Sequence, residues 1–215
     1  MILFGVRSPL VVELEETLAR LGIAVTAAIS INGVPRVTDR SRLVELDAFI
    51  PIPGAAFIAS AFAPQRRRAL VEQAVAMDLV KARAIIDPTA ILPRSARVGD
   101  ATFINAGVVI GAITLIGEGV LVNRAASLGH HTVLSDFASV GPGATLAGNV
   151  HVGANAVIGA GTTILPDVRI GENAIISAGS VVRKHVADGA FVAGNPAVSL
   201  RFKPRRSALN VEDGE

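Results

Sequence analysis

Residues 98–128 read VGDATFINAGVVIGAITLIGEGVLVNRAASL, with an aliphatic side chain at every sixth position: Val98, Ile104, Ile110, Ile116, Val122 and Leu128. The phase runs back to Leu92 and Ile86, and forward through Leu134, Val140, Leu146, Val152, Ile158, Ile164, Ile170, Ile176 and Val182. All seventeen positions are Ile, Leu or Val. Aliphatics make up about a quarter of an ordinary composition, so a chance run of this length is negligible. A period of six fits neither the 3.6 of a helix nor the simple alternation of a strand. It suits short strands joined by turns and wound into a parallel β-solenoid. Three hexads make one triangular coil, which places residue i beneath i+18 at about 4.8 Å, the hydrogen-bonding spacing of strands. Residues 86–187 hold seventeen hexads, hence between five and six coils with no inserted loop.

The residue after the aliphatic is often Gly or Asn, as at Gly99, Asn105, Gly111, Gly117, Asn123, Gly129, Gly141, Gly153, Gly159 and Gly171. These are expected to supply the positive φ of a sharp corner. Asp188-Gly189-Ala190 is expected to break the phase and Gly194-Asn195-Pro196-Ala197 to form a turn. Residues 188–215 then form a short cap and a tail carrying Arg201, Lys203, Arg205 and Arg206.

Before Ile86 the signals alternate between strand and helix. Ile2 to Val6 reads as a strand. Pro9 then opens a helix with Leu10, Val11, Leu14, Leu18 and Leu21 on one face, closed by Gly22. Ile23–Ile29 and Ala55–Phe62 read as further strands, Arg42–Leu46 as a short helix, and Pro64 to about Leu79 as a longer one. Residues 1–85 are therefore expected to form a small Rossmann-like α/β domain with a parallel sheet. Ligands of such sheets bind beyond the carboxyl ends of the strands, near Gly5–Pro9 and Ala61–Arg66. A dinucleotide fingerprint is missing, because Gly5-Val6-Arg7-Ser8-Pro9 holds a single glycine. The functional reading of this end is an anion met by Arg7, Ser8 and Arg66; the plain reading is a tight turn.

Composition narrows the classes. With 215 residues and 51% hydrophobic content the chain can bury a large core, which excludes a disordered protein. The absence of Cys removes thiol nucleophiles, thiolate metal sites and disulfides. A pI near 9.7 reflects only two excess cations, since no Tyr or Cys titrates below lysine. Aromatics are 4% with no Trp or Tyr, so base-stacking platforms for nucleic acid are lacking. Mean hydropathy is +0.53, yet the longest apolar run, Ala106–Gly117, falls short of the roughly 20 residues of a membrane span. No secretory signal opens the sequence, and a soluble cytoplasmic protein is the expectation.

The unbroken hexads resemble the hexapeptide-repeat acyltransferases of the left-handed parallel β-helix fold. The α/β domain ahead of the coil is similar to the branch that N- or O-acetylates amino sugars, often nucleotide-linked, and sialic acids. The likeness rests on Asn123-Arg124-Ala125-Ala126-Ser127-Leu128-Gly129-His130-His131, Ser135-Asp136-Phe137, Gly141-Pro142-Gly143-Ala144, Ala147-Gly148-Asn149-Val150 and Gly194-Asn195-Pro196-Ala197. It implies acetyl-CoA as co-substrate, a homotrimer with sites in clefts between subunits, and His130 as general base. Imidazole suits that task, with an unperturbed pKa near 6.5. Relatives place an acid after this histidine; here His131 stands there, and Asp136 is a second candidate partner. Gly148, 18 residues after His130, corresponds to the family's oxyanion donor. Ser139, Asn195 and Pro196 fall on the acetyl-donor side, and Asn123 is a positioning residue. The cations of 201–206 fit contact with the phosphates of coenzyme A and a solvated tail equally well. On the acceptor side, Pro9 occupies the position where relatives carry a sugar-holding histidine.

Two other classes remain open at this point. One is a non-catalytic β-helix scaffold. The other is a zinc lyase like the γ-type carbonic anhydrases, which share the coil but hold zinc through three histidines, two of them five apart. This chain has histidines at 130, 131, 151 and 185, without that spacing, and no metal site is expected.

Overall fold

A computed structural model of the protein describes residues 1–200; the cationic segment 201–206 lies outside the described residues. Alternating apolar residues and helical spacing build the first domain. It comprises β1 (Ile2–Phe4), α1 (Val11–Arg20), β2 (Ala27–Ser30), β3 (Leu43–Glu45), β4 (Ala56–Ala59), α2 (Pro64–Ala76) and β5 (Val80–Lys81). All pairings are parallel, in the order β3-β2-β1-β4-β5. Strand alternation sends Leu3 and Ile58 to a cluster with Val11, Leu14 and Leu18 of α1. Phe4 and Phe57 go to a second cluster with Leu70, Val71 and Ala74 of α2. Gly22, with φ 68°, ends α1 as its sequence position predicts. Arg42–Leu46 departs from expectation: Leu43–Glu45 is an edge strand on β2, and only one 3₁₀ turn follows at Leu46–Ala48. The β-sheet edge offered by Ala28–Ser30 outweighs the weak helical signal of five residues.

From Ile85 onward two-residue strands alternate with tight corners. Every pairing from Ile85↔Phe103 to Ile164↔Val182 has a register of 18, forming three columns in which five rungs are complete on every face. The hexad aliphatics point inward; Ile104, Leu128, Leu134, Leu146 and Ile158 are fully buried. A second inward set lies two residues before each aliphatic, small and equally buried, as at Ala126, Ala138, Ala144, Val150 and Ala156. Large residues on the faces and small ones near the corners fill a triangular section at core density.

The phase breaks earlier than Asp188. Val186 pairs with Ile170 across 16 residues, so the corner at Arg183–His185 is two residues short. The chain then returns as Phe191–Gly194, parallel to Ile175–Ile176, and pairs antiparallel with Ala197–Leu200.

The corner glycines also work differently from expectation. Positive φ falls three residues after each aliphatic, from Ala101 and Gly107 through His131 to Asn173 and Gly179. The glycines one residue after the aliphatic have no left-handed backbone. They are needed because the next coil passes too close for a side chain. A Cβ on Gly129 would lie 2.5 Å from the backbone carbon of Ala147, and one on Gly111 would lie 2.4 Å from the amide of His130.

Two buried clamps join the α/β domain to the coil. Arg67, 3% exposed, donates through Nε to the Gly119 carbonyl, through Nη1 to those of Ala61 and Phe62, and through Nη2 to Phe137, Ala138 and the Ser139 hydroxyl. Burial pushes its guanidinium down to about 9, so it stays cationic at neutral pH. Asp87 accepts from Thr17 and Arg20 of α1 and from Thr89. Burial pushes its carboxyl up, but the bonds from Thr89, Thr17 and Arg20 outweigh this and hold it well below the ordinary carboxylate range.

Gly143 has φ 64° with open space around a Cβ, so Gly143→Ala is expected to cost about 1–2 kcal/mol of backbone strain. Gly129→Ala meets backbone and is expected to cost about 3 kcal/mol or more; urea unfolding of the two variants compares them. The depressed Asp87 favours the native state at every pH above about 4, the unfolded carboxyl value. That contribution disappears as pH falls below this value, so the stability gap between wild type and Asp87→Asn is expected to shrink between pH 5 and pH 2.

Candidate active site

The column of corners between strands 127–128 and 133–134 carries His130 and His131. Gly129 permits the close approach of the next coil, and Thr132, buried, donates to its carbonyl at 2.8 Å to close the turn. Asn149 N–H reaches back to the His130 carbonyl at 2.8 Å, which fixes residue 148 over 130 and 149 over 131. The missing side chain at Gly148 is what makes room for the imidazole. A Cβ there would sit 2.6 Å from both Cε1 and Nε2 of His130.

Backbone N–H groups at this type of corner point out of the strand ladder, and some are capped by a side chain one coil on. Glu118 N–H donates to Asp136 Oδ1 at 2.8 Å, and Glu172 N–H to Asp188 Oδ1 at 2.8 Å. Above Gly148 in the register stands Pro166, which has no side-chain acceptor, and the Gly148 N–H meets no acceptor among the described residues. An unpaired donor therefore lies beside the edge of an exposed imidazole.

His131 stands at φ 57° and its Nδ1 is 3.0 Å from Nδ1 of His130, the rings at 88° with centroids 5.2 Å apart. Asp136 is committed to the Glu118 amide and does not reach either ring. His151 Nε2 lies 3.4 Å from Asn149 Oδ1, and His185 Nδ1 accepts from the Arg169 amide, so both serve the frame.

Where the sequence leads one to expect the acceptor, the structure brings Ser8 and Asn123 together, lining a cleft of about 370 Å³ between the α/β domain and the coil. The Arg124–Glu13 ion pair, 2.8 Å, closes one wall. Asn123 Oδ1 accepts from Asn105 and from the Arg124 amide. Arg7 turns away to donate to the Asn32 carbonyl, and Arg66 does not line the cleft. The expected cluster of Arg7, Ser8 and Arg66 is thus not assembled.

Ser139 requires a correction. It is completely buried, donates to the Phe62 carbonyl at 2.7 Å and accepts from Arg67 at 2.9 Å. A donor-binding role is closed to it because the α/β domain covers that face of the coil. Pro196 lines an open cavity of about 780 Å³ with Arg183, Lys184, His185 and Ala197; Asn195 is exposed beside it, in the same turn. Sequence reasoning missed the clamp role of Arg67, as well as Arg68, which stacks 4.2 Å over Phe137 and bonds Asn155 Oδ1. It also missed Arg183-Lys184-His185, although a charge run where the hexads lapse is a readable signal.

The bacterial transferase hexapeptide family (six repeats) matches residues 131–165 and 149–184. The acetyltransferase domain of PglB from Neisseria gonorrhoeae, in complex with acetyl coenzyme A, is 27% identical, with a TM-score of 0.80 over 93% of this chain and 98% of that one. PerB from Caulobacter crescentus, in complex with CoA and GDP-perosamine, is 26% identical, with a TM-score of 0.79 over 93% and 96%. This chain carries the bacterial transferase hexapeptide repeat and is similar over almost its whole length to sugar acetyltransferases. A variant of perosamine N-acetyltransferase from Caulobacter crescentus, 24% identical, shares the fold with a TM-score of 0.82 over 93% and 95%. The coil of this chain is accordingly the left-handed β-helix. No curated protein matches its sequence as a relative. Among the described residues no helix is long and apolar enough to cross a membrane, and no three His, Cys, Asp or Glu side chains converge to share a metal.

Ser139→Ala strips one partner from the buried Arg67 and is expected to cost about 1–3 kcal/mol in urea unfolding.

Proposed function

We propose that the protein transfers the acetyl group of acetyl-CoA to the amine of a nucleotide-linked amino sugar, with His130 as general base. The observation that carries this reading is the His130 Nε2 edge lying against Gly148, whose N–H is unpaired, in a chain matched over almost its whole length to complexes with acetyl coenzyme A and with CoA and GDP-perosamine. The amine nitrogen attacks the thioester carbonyl carbon and gives its proton to His130 Nε2. The Gly148 N–H donates to the oxyanion that forms. Collapse breaks the C–S bond, and the leaving thiolate takes the proton back from Nε2. Base catalysis of this kind contributes on the order of 10²–10⁴-fold.

In this reading residues 1–85 hold the acceptor, 86–187 perform the transfer, and the cap that closes the coil begins at 188. Asn123 follows strand 121–122 and His130 follows strand 127–128, so they occupy different corners with one face between them. The α/β domain covers the outward residues Phe103, Leu121 and Ser139, leaving the histidine corner uncovered in its own chain. A homotrimer would let the Ser8 and Asn123 cleft of one copy face His130 of the next. The cavity at Arg183, Lys184 and Pro196, with Asn195 at its edge, suits the phosphates of coenzyme A. A cytoplasmic location suits both co-substrates.

Calorimetric titration is expected to show about one acetyl-CoA site per chain, and His130→Ala should retain it while losing 10²–10⁴-fold in kcat. Absence of binding at millimolar ligand, or wild-type turnover in His130→Ala, would discard the reading.

A further inference from the structure

Building on that assignment of His130, we infer that His131 is a neutral positioning residue that holds His130 in its reactive tautomer. Adjacent side chains in a strand diverge to opposite faces. The left-handed backbone at His131 instead turns two consecutive imidazoles onto one another, Nδ1 to Nδ1 at 3.0 Å. A contact between two such nitrogens needs one proton, donated by one ring and accepted by the other. The Cε1–Nε2 edge of His130 is the one that faces Gly148. For Nε2 to receive a proton it must be bare, which puts the ring proton of His130 on Nδ1 and makes His131 Nδ1 the acceptor. His131 then carries its own proton on Nε2.

Among the described residues no anion can take over this task. The coil before the pair presents Ala112 and Ile113, and the coil after it presents Gly148 and Asn149. Asp136 is held by the Glu118 amide, and Asp167 accepts from Asn149 Nδ2 at 2.7 Å. His151, the remaining titratable neighbour, is turned to Asn149 Oδ1. The bridge already holds its one proton and Nε2 of His131 holds another, so a proton entering the pair ends on Nε2 of His130, which silences the base whichever ring nominally carries the charge.

The site also names its own best control. Asn149 holds the equivalent corner one coil on, at φ 58°, so Asn at 131 fits the backbone, and its Oδ1 can accept without titrating. Ala fits as well, since Ala125 takes φ 54° at the corner of the neighbouring column. The test is nitrogen NMR of full-length protein labelled in histidine, beside kcat measured with acetyl-CoA and an amino-sugar nucleotide. Wild type and His131→Asn should show His130 protonated on Nδ1; His131→Ala should show it protonated mainly on Nε2. His131→Ala should lose about 10–100-fold in kcat with acetyl-CoA affinity unchanged, the scale of lost imidazole orienters, and His131→Asn should recover most of it. His131→Glu adds a carboxylate and should move the acid limb of kcat/KM to higher pH. An Nε2–H tautomer in the wild type, or a tautomer unmoved in His131→Ala, would overturn the inference. The expected tautomers in a protein that acetylates nothing would instead defeat the transferase reading and leave the pairing standing.

Discussion

The 18-residue parallel register governs the molecule. Each short strand bonds the one a full coil away, so the contents of any position are constrained by those 18 residues before and after it. The cost of a misfit side chain is thereby passed to backbone that cannot move. Glycines cluster one residue past the aliphatics for this reason, and His130 finds space only because Gly148 overhangs it. Fold and site are set by one spacing rule.

The α/β domain is attached to this frame through buried polar clamps as well as apolar packing. Arg67 satisfies its donors with five main-chain carbonyls and one hydroxyl, without a carboxylate. Carbonyl oxygens from corners 119 and 137–138 are fixed by the coil, so the guanidinium reads the coil's geometry and holds α2 in one orientation. Ala101 and Phe137 enter the same hydrophobic cluster as β1 and α2, making the coil surface part of the domain's core. A cleft bordered by Ser8, Phe62 and Asn123 is therefore built from both units and keeps its shape only while they stay docked.

Much of this was legible in the sequence because the coil has so few free parameters. Seventeen aliphatics in phase specify the register, the inward ladders and the stacking of residue 148 on 130. The role of the corner glycines was not legible, because composition gives glycine two uses, left-handed backbone and absence of a side chain. Only the path of the next coil decides between them. Ser139 misled for a related reason: its register position is outward, and outward positions are exposed unless another domain covers them. The burial of Arg67 could not be told from its neighbours Arg66 and Arg68, since three consecutive arginines on one helix point in three directions and only packing selects among them.

Why the chemistry sits at a corner follows from backbone accounting. On the faces each amide is consumed by the ladder: His151 donates to Val168 and Ser127 to Ala144. An outward side chain there has neighbours but no free backbone donor. At a corner the ladder is interrupted, consecutive side chains turn toward one another, and an amide is left over that must be capped or left open. Asp136 and Asp188 cap theirs. Pro166 cannot, so the amide of Gly148 stays open beside the only adjacent pair of imidazoles in the chain. The proposed base, its proposed positioning partner and the proposed oxyanion donor thus share a single column of corners, in residues whose spacing the register fixes.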